Sequence, residues 1–347
     1  MTPLARLEVD LRLDAPPEQV AARAQELAAT GVAGLFTFEG AHDPFLSLAV
    51  AATNCGPIDL MTNVAIALPR SPVHLAHAAY DLQVLSQGRF RLGLGSQVKA
   101  HIERRHGSTW DRPAAQMRDR VQAVKAVLDS WQYGTPLAFA GSYTRIDLMP
   151  RTFDPGPNPF GTPPVLLGAL GPVMTRTAAE VADGLLVMPF NTPRHFSERT
   201  LPAIEEGLRR REGPGDFSIH PQAILAMADD PDELSQAIEG VRRLLAFYAS
   251  TPAYRPVLEV EGRPELQLEL GNAVRTGDLA AKTHLIDDGL LSELAIVGTP
   301  EDCARQLIAR FGSYAQRVCC YFPGHDPSPA LIAELVAALA PPSGAAR

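Results

Sequence analysis

The stretch Leu7-Glu8-Val9-Asp10-Leu11-Arg12-Leu13-Asp14-Ala15-Pro16-Pro17 decides the fold. Its first seven residues alternate apolar and polar, the period of a strand whose two faces differ. Pro16-Pro17 then opens a helical stretch reaching about Ala29, because proline suits the first turn of a helix. The turn between strand and helix separates two α/β architectures. A doubly wound sheet that binds a dinucleotide carries a glycine-rich turn there, whose bare backbone cradles a pyrophosphate. Asp14-Ala15-Pro16-Pro17 has no glycine and cannot do this. A closed barrel is the economical alternative for repeated strand–helix units.

Working outward, the same unit recurs. Gly31 ends the first helix, Val32 to Phe38 reads as a second strand, and Asp43-Pro44 starts a helix rich in Ala and Leu. Ile58 to Ala67 is a third strand, followed by a helix capped by Ser71-Pro72. Arg89 to Leu94 is a fourth strand, and Arg112-Pro113 leads into an amphipathic helix ending near Trp131. Residues 133–162 break the rhythm with Gly, Pro and aromatic residues, and Phe139 to Ile146 suggests a hairpin. This segment is expected to be an insertion over the barrel mouth. Strands follow at Val165–Ala169, Gly184–Met188, within Phe217–Ala228, and at Arg317–Phe322, with helices Pro172–Ala182, Pro193–Arg211, Pro231–Ala249, Pro300–Phe311 and Pro329–Leu339. Residues 251–298 read as irregular with helical pieces. The count is about eight strands, so we expect one (β/α)8 TIM barrel domain over residues 1–347, with residues 133–162 inserted in it.

Composition agrees with a globular enzyme-sized chain. It has 347 residues, 46% hydrophobic and 20% charged, with a net charge of −8. The acidic balance disfavours nucleic acid or an anionic membrane as partner. No stretch reaches about 18 uncharged apolar residues, and the first residues lack a long apolar region, so neither a transmembrane helix nor a signal peptide is expected. Cys55, Cys303, Cys319 and Cys320 are scattered without a CxxC pair, which suits buried thiols in a reducing cytoplasm.

In a barrel, chemistry gathers where strands end and the following loops begin. The second strand ends in Glu39-Gly40-Ala41-His42-Asp43, where Glu39 and His42 are candidates to move a proton; Asp43 equally suits a helix cap and His42 a surface loop. Asn63 is a polar residue inside the apolar third strand, where a bulge would push backbone groups inward. The fourth strand ends in Gly95-Ser96-Gln97, followed by Lys99, His101, Arg104 and Arg105, a local positive charge fit for an anionic tail. The fifth ends in Gly168-Ala169-Leu170-Gly171-Pro172-Val173-Met174, a loop running into a helix N-terminus whose free N–H groups suit a phosphate. There is no HxH after the first strand, and no HExxH, GxSxG or GxxxxGK[ST], so no metal site is expected. Lys99 lies beyond its strand, where a Schiff-base lysine would not be shielded from water.

Taken together, Gly88 to Gly107, Gly34-Leu-Phe-Thr-Phe-Glu39 with His42-Asp-Pro-Phe45, Gly168 to Met174 with Ala179 to Gly184, and Val297 to Asp302 resemble the luciferase-like monooxygenase superfamily. Within it, the resemblance is nearest to the oxidoreductases that depend on coenzyme F420, a deazaflavin. It runs over nearly the whole chain. It implies a barrel with an insertion near the mouth, F420 or FMN at the strand ends, and hydride transfer at the central ring. Asn63-Val64 matches the place of a bulge, often with a non-proline cis peptide, that supports the ring. Gly95, Ser96, Gln97 and His101 match positions lining the cofactor, Gly168 through Met174 the phosphate loop, and Glu39 an acidic residue near ring and substrate. Many relatives carry a histidine directly after that acidic residue; here Gly40 stands there, and His42 is a candidate substitute. The resemblance also implies a homodimer, for which the Ala-rich helices 72–87 and 113–131 are candidate faces, though Ala-rich faces equally suit packing on the barrel. The leading expectation is an F420-dependent oxidoreductase acting on a small organic molecule. An FMN-dependent monooxygenase and a non-catalytic flavin-binding protein are the alternatives.

Overall fold

A computed structural model describes residues 7–213 and 215–340, so the chain's first six residues, residue 214 and the last seven lie outside the description. The strands are β1 (Glu8–Arg12), β2 (Gly34–Thr37), β3 (Asp59–Thr62), β4 (Ala65–Ile66), β5 (Phe90–Gly95), β6 (Phe139–Ala140), β7 (Arg145–Ile146), β8 (Val165–Ala169), β9 (Gly184–Val187), β10 (Ser218–His220), β11 (Gln222–Met227), β12 (Ile296–Gly298) and β13 (Arg317–Tyr321). One path of parallel pairs runs β10-β9-β8-β5-β3-β2-β1-β13-β11. β10 and β11 are successive pieces of one strand, so the path returns on itself and the sheet is a barrel. Pro221 separates the two pieces because a prolyl nitrogen has no hydrogen to give a ladder. Its carbonyl still accepts from Cys319 N at 2.9 Å. On the other side, Gln222 Nε2 donates to Val187 O at 3.0 Å, so a side chain bridges the seam to β9.

The alternation in β1 divides the molecule into inside and outside. Val9 and Leu11 pack outward in the larger apolar cluster, under the helices. Cys320 belongs to that cluster while its neighbour Cys319 faces the interior cluster, as adjacent strand residues must. All four cysteines are buried free thiols. Toward the N-terminal end of the strands, polar residues meet: Arg317 pairs with Asp10 and Asp59, and Arg91 reaches Asp59 at 2.9 Å. Gly34 is required beside this network, since a Cβ there would overlap Asp10 Oδ1 and lie 2.7 Å from Arg317 Nη2. Nearby, His220 shares a 2.8 Å hydrogen bond with Ser218 Oγ. Burial, with the positive charges of Arg91 and Arg317, pushes its imidazole down to about 3.

Local chemistry sets the helix starts. Asp43 caps Pro44–Asn54 through Phe45 N, Ser71 caps Pro72–Leu85 through Val73 N, and Thr299 with Asp302 forms a reciprocal cap on Pro300–Phe311. The first helix begins at Val20 rather than at Pro16-Pro17, which start a turn closed by Gln19 N donating to Pro16 O at 2.8 Å.

The segment 133–162 packs on the outer wall rather than over the opening. Its hairpin is tied to the Pro113–Tyr133 helix by Tyr143 N donating to Asp119 Oδ2 at 2.9 Å, and Asn158 Nδ2 donates to Tyr80 O at 3.1 Å. Ile146 and Met149 join the outer cluster. An insertion does stand over the mouth, and it is the stretch 231–294, read from the sequence as a helix followed by irregular chain. Ala237, Val241, Leu245, Leu258, Leu270 and Leu290 share one apolar cluster with the inward-facing Phe36, Met61, Leu166, Leu186 and Cys319. That segment ends in β12, which extends the sheet by pairing with β11. Among the described residues, no helix is long and apolar enough to cross a membrane.

Candidate functional site

The mouth can be assembled strand by strand. Past β2, the backbone N–H of Glu39 donates to Val64 O at 3.2 Å, fixing the carboxylate beside the third strand. Glu39 Oε2 accepts from Ile66 N at 2.9 Å and pairs with Arg70, whose second arm reaches Asp43 at 3.2 Å. Only 9% of the Glu39 side chain is exposed, so this carboxylate is held in place and charge-matched. His42 is exposed on the loop and is not brought to Glu39's partners.

The third strand is interrupted between β3 and β4, and the Asn63-Val64 peptide is cis. Asn63 N donates to Thr37 O at 2.6 Å, yet both atoms of its buried side-chain amide lack a hydrogen-bond partner. The amide lies by the Cys319 thiol across the barrel. Val64 is half-buried and sits between two glycines. A Cβ at Gly95 would fall 2.5 Å from Val64 Cγ2, and one at Gly168 would fall 3.1 Å from Val64 Cγ1. Three strands therefore combine into a cradle: Val64 fills the room that Gly95 and Gly168 leave and forms an apolar floor, with an unpaired amide beside it.

The loop after β5 leads outward from this cradle. Ser96 and Gln97 are half-buried; Gln97 has φ of 60° and its Oε1 accepts from Val98 N at 3.0 Å. His101 and Lys99 lie exposed on the short Lys99–Arg104 helix, with Arg104 and Arg105 beyond. At the end of β8 and beyond it, Ala169 and Leu170 are buried, Gly171 is half-buried, Pro172 and Val173 are exposed, and Met174 packs on the outer cluster. The Pro172–Val181 helix has no side-chain cap at Gly171, so its first N–H groups stay available for an anion. The structure thus brings Asn63, Val64, Gly95 and Gly168 together, sets Glu39 at their rim, and leaves His42 and His101 on the surface.

The opposite side of the mouth holds residues that the sequence did not single out. Arg12 ends β1, with its guanidinium 4.1 Å from the centre of the Phe38 ring. The hydroxyls of Tyr248 and Tyr321 meet at 3.5 Å, and Tyr254 Oη approaches Met188 Sδ at 3.8 Å. Phe190 stacks on Tyr254, ring centres 6.0 Å apart. Burial raises all three phenols, Tyr254 to about 12, so they are neutral hydroxyl donors near neutral pH. Arg12 had a signal in the sequence, being on the same strand face as inward Asp10. Tyr248 and Tyr254 had none, because nothing in the stretch around them marks it as cap. Among the described residues, no three His, Cys, Asp or Glu side chains gather as a metal site.

A family model described as luciferase-like monooxygenase matches residues 3–317. The chain belongs to the luciferase-like monooxygenase family. Among its relatives, an uncharacterized protein of Mycobacterium tuberculosis is 38% identical over 318 residues, covering 91% of this chain and 94% of that one. A putative coenzyme F420-dependent oxidoreductase of the same organism is 27% identical over 310 residues, covering 84% and 87%. The coenzyme F420-dependent tetrahydromethanopterin reductase of Methanopyrus kandleri shares the fold, with a TM-score of 0.78 at 22% identity, covering 96% of this chain and 97% of that one. The barrel expected from the strand pattern, in the luciferase-like form that the resemblance implied, is therefore the fold of this chain.

Proposed function

We propose that this protein is an oxidoreductase that binds coenzyme F420 and transfers a hydride to or from a small organic substrate. The observation that carries the reading is the cradle formed by Val64 between Gly95 and Gly168, with the unpaired amide of Asn63 beside it. A flat ring needs an apolar floor and a few polar contacts at its edge. When bound, F420 supplies a ring that carries a hydride. Asn63 would pair with the ring's polar edge, and Val64 would support one face. Gly95, Ser96, Gln97 and His101 would line the ring and tail. Gly168, Ala169, Leu170, Gly171, Pro172, Val173 and Met174 would offer the helix N-terminus to a phosphate. Glu39 would hold or move a proton at the substrate oxygen, and His42 would join it only by a movement of its exposed loop. Support for F420 over FMN comes from the 27% identical relative bearing that description. The enzyme would act in the cytoplasm as a homodimer.

The family description, luciferase-like monooxygenase, supports a monooxygenase as the second reading, with FMN as its cofactor. Purified protein titrated side by side with F420 and FMN separates the two. F420 is expected to bind with micromolar or tighter affinity, and a substrate panel then tests turnover. No detectable F420 binding defeats the proposal; binding of FMN alone, with oxygen consumption when FMN is reduced, establishes the second reading. Binding without any turnover on the panel would leave a flavin-binding protein.

A further inference from the structure

The cap side of the mouth carries polar chemistry that the cradle does not use. Arg12 pairs with Asp14 at 2.5 Å, but that carboxylate is 68% exposed, and an exposed pair of this kind is weakly held. Glu39 is already matched by Arg70, so it does not neutralise Arg12. β1 and β13 pair with Leu11 opposite Cys320, which sets the next residues, Arg12 and Tyr321, side by side, and Tyr248 meets Tyr321 from the cap. When two hydroxyls meet, one donates to the other, and the acceptor's own proton is left for a third group. Around this sit the Phe38 ring, the Tyr254 ring and the Met188 thioether, which favour an apolar body.

We propose that Arg12 and the Tyr248–Tyr321 pair anchor a carboxylate, and that the substrate is a small organic acid with an aromatic or aliphatic body. This rests on the reading of the cradle as the cofactor site, since the two occupy opposite sides of one mouth. One guanidinium with one free hydroxyl proton matches a two-oxygen monoanion. A phosphate dianion calls for more cations, and the basic side chains lie instead past β5, beside Lys99 and Arg104. A neutral ketone or alcohol would leave the guanidinium unused.

The test is calorimetric titration of the protein with benzoate and phenylacetate against acetophenone and benzyl alcohol, on the wild type, Arg12→Gln and Tyr248→Phe. F420 is titrated separately on each. The acids are expected to bind at least about tenfold tighter than the neutral compounds, and Arg12→Gln to weaken them by at least about tenfold, as loss of a charge-assisted hydrogen bond implies. Tyr248→Phe is expected to weaken them several-fold, and F420 affinity to stay within about twofold in both variants. Equal binding of acids and neutral compounds, no binding of the acids, or acid binding indifferent to Arg12→Gln overturns the proposal. If Arg12→Gln fails to fold by circular dichroism, Tyr248→Phe decides: weaker acid binding supports the anchor, unchanged binding removes it. Acid binding that depends on Arg12 in a protein that ignores F420 defeats the cofactor reading and leaves the anchor standing.

Discussion

Asn63 keeps both amide atoms buried and unpaired, against the strong tendency of buried polar groups to find partners. A protein that carries such a group carries a cost of about 1–3 kcal/mol for the missing bonds. Replacing Asn63 by leucine, near in shape and without polar atoms, is expected to raise stability by about 1 kcal/mol while F420 affinity falls at least about tenfold. Urea unfolding and a cofactor titration on the same variant check both halves; a variant that loses stability and keeps the cofactor would refute the assignment. The residue was visible in the sequence because a polar side chain interrupted an apolar run. Val64's role was visible only through the resemblance, since nothing in its type announces that Gly95 and Gly168 have left room for it. Arg70 was not visible as the partner of Glu39, because the pair spans 31 positions and is set by how the third strand breaks.

The seventh barrel strand shows how one residue divides an element. A single strand was legible within Phe217–Ala228 from its apolar run, and Pro221 was there to be read, but a run of apolar residues does not reveal that its neighbours will close a ring around the gap. Gln222 spans it, holding Val187 O at 3.0 Å where Pro221 interrupts the backbone ladder. Gln222→Ala leaves that carbonyl without its partner and is expected to cost about 1–2 kcal/mol. Chemical denaturation measures it, and amide exchange along β9 and β10 should rise more than along β1 and β2; uniform exchange would contradict the bridging role. β12 was missed for a different reason, since three residues are too few to show a period. The hairpin at 139–146 was legible as a hairpin but not in its position, because its docking depends on Asp119 in a distant turn of the Pro113–Tyr133 helix.

At the scale of the molecule, two imidazoles that fold neutral lower stability in acid. His220 titrates at about 3 in the folded chain against an ordinary 6.5, because burial and two arginines oppose its charge. His195 is pushed down to about 4, again chiefly by burial. Above about 6.5 both states are neutral and the full contribution is present. As pH falls toward 3, the unfolded chain takes up protons that the folded chain refuses, so stability is lost at up to about 1.4 kcal/mol per pH unit for each histidine. Urea midpoints between pH 7 and 4.5 are expected to fall less steeply in His220→Gln than in the wild type; parallel curves would rule this origin out. The ring of strands was legible from its alternation, whereas the cap over it was not. That cap shares an apolar interior with the barrel, crossed by the Tyr248–Tyr321 hydroxyl contact. It therefore cannot swing like a door without stripping oil-like contacts at about 25 cal/mol per Å². Traffic into and out of the mouth must then pass beside the cap, along the edge where Phe38 and Arg12 already meet water.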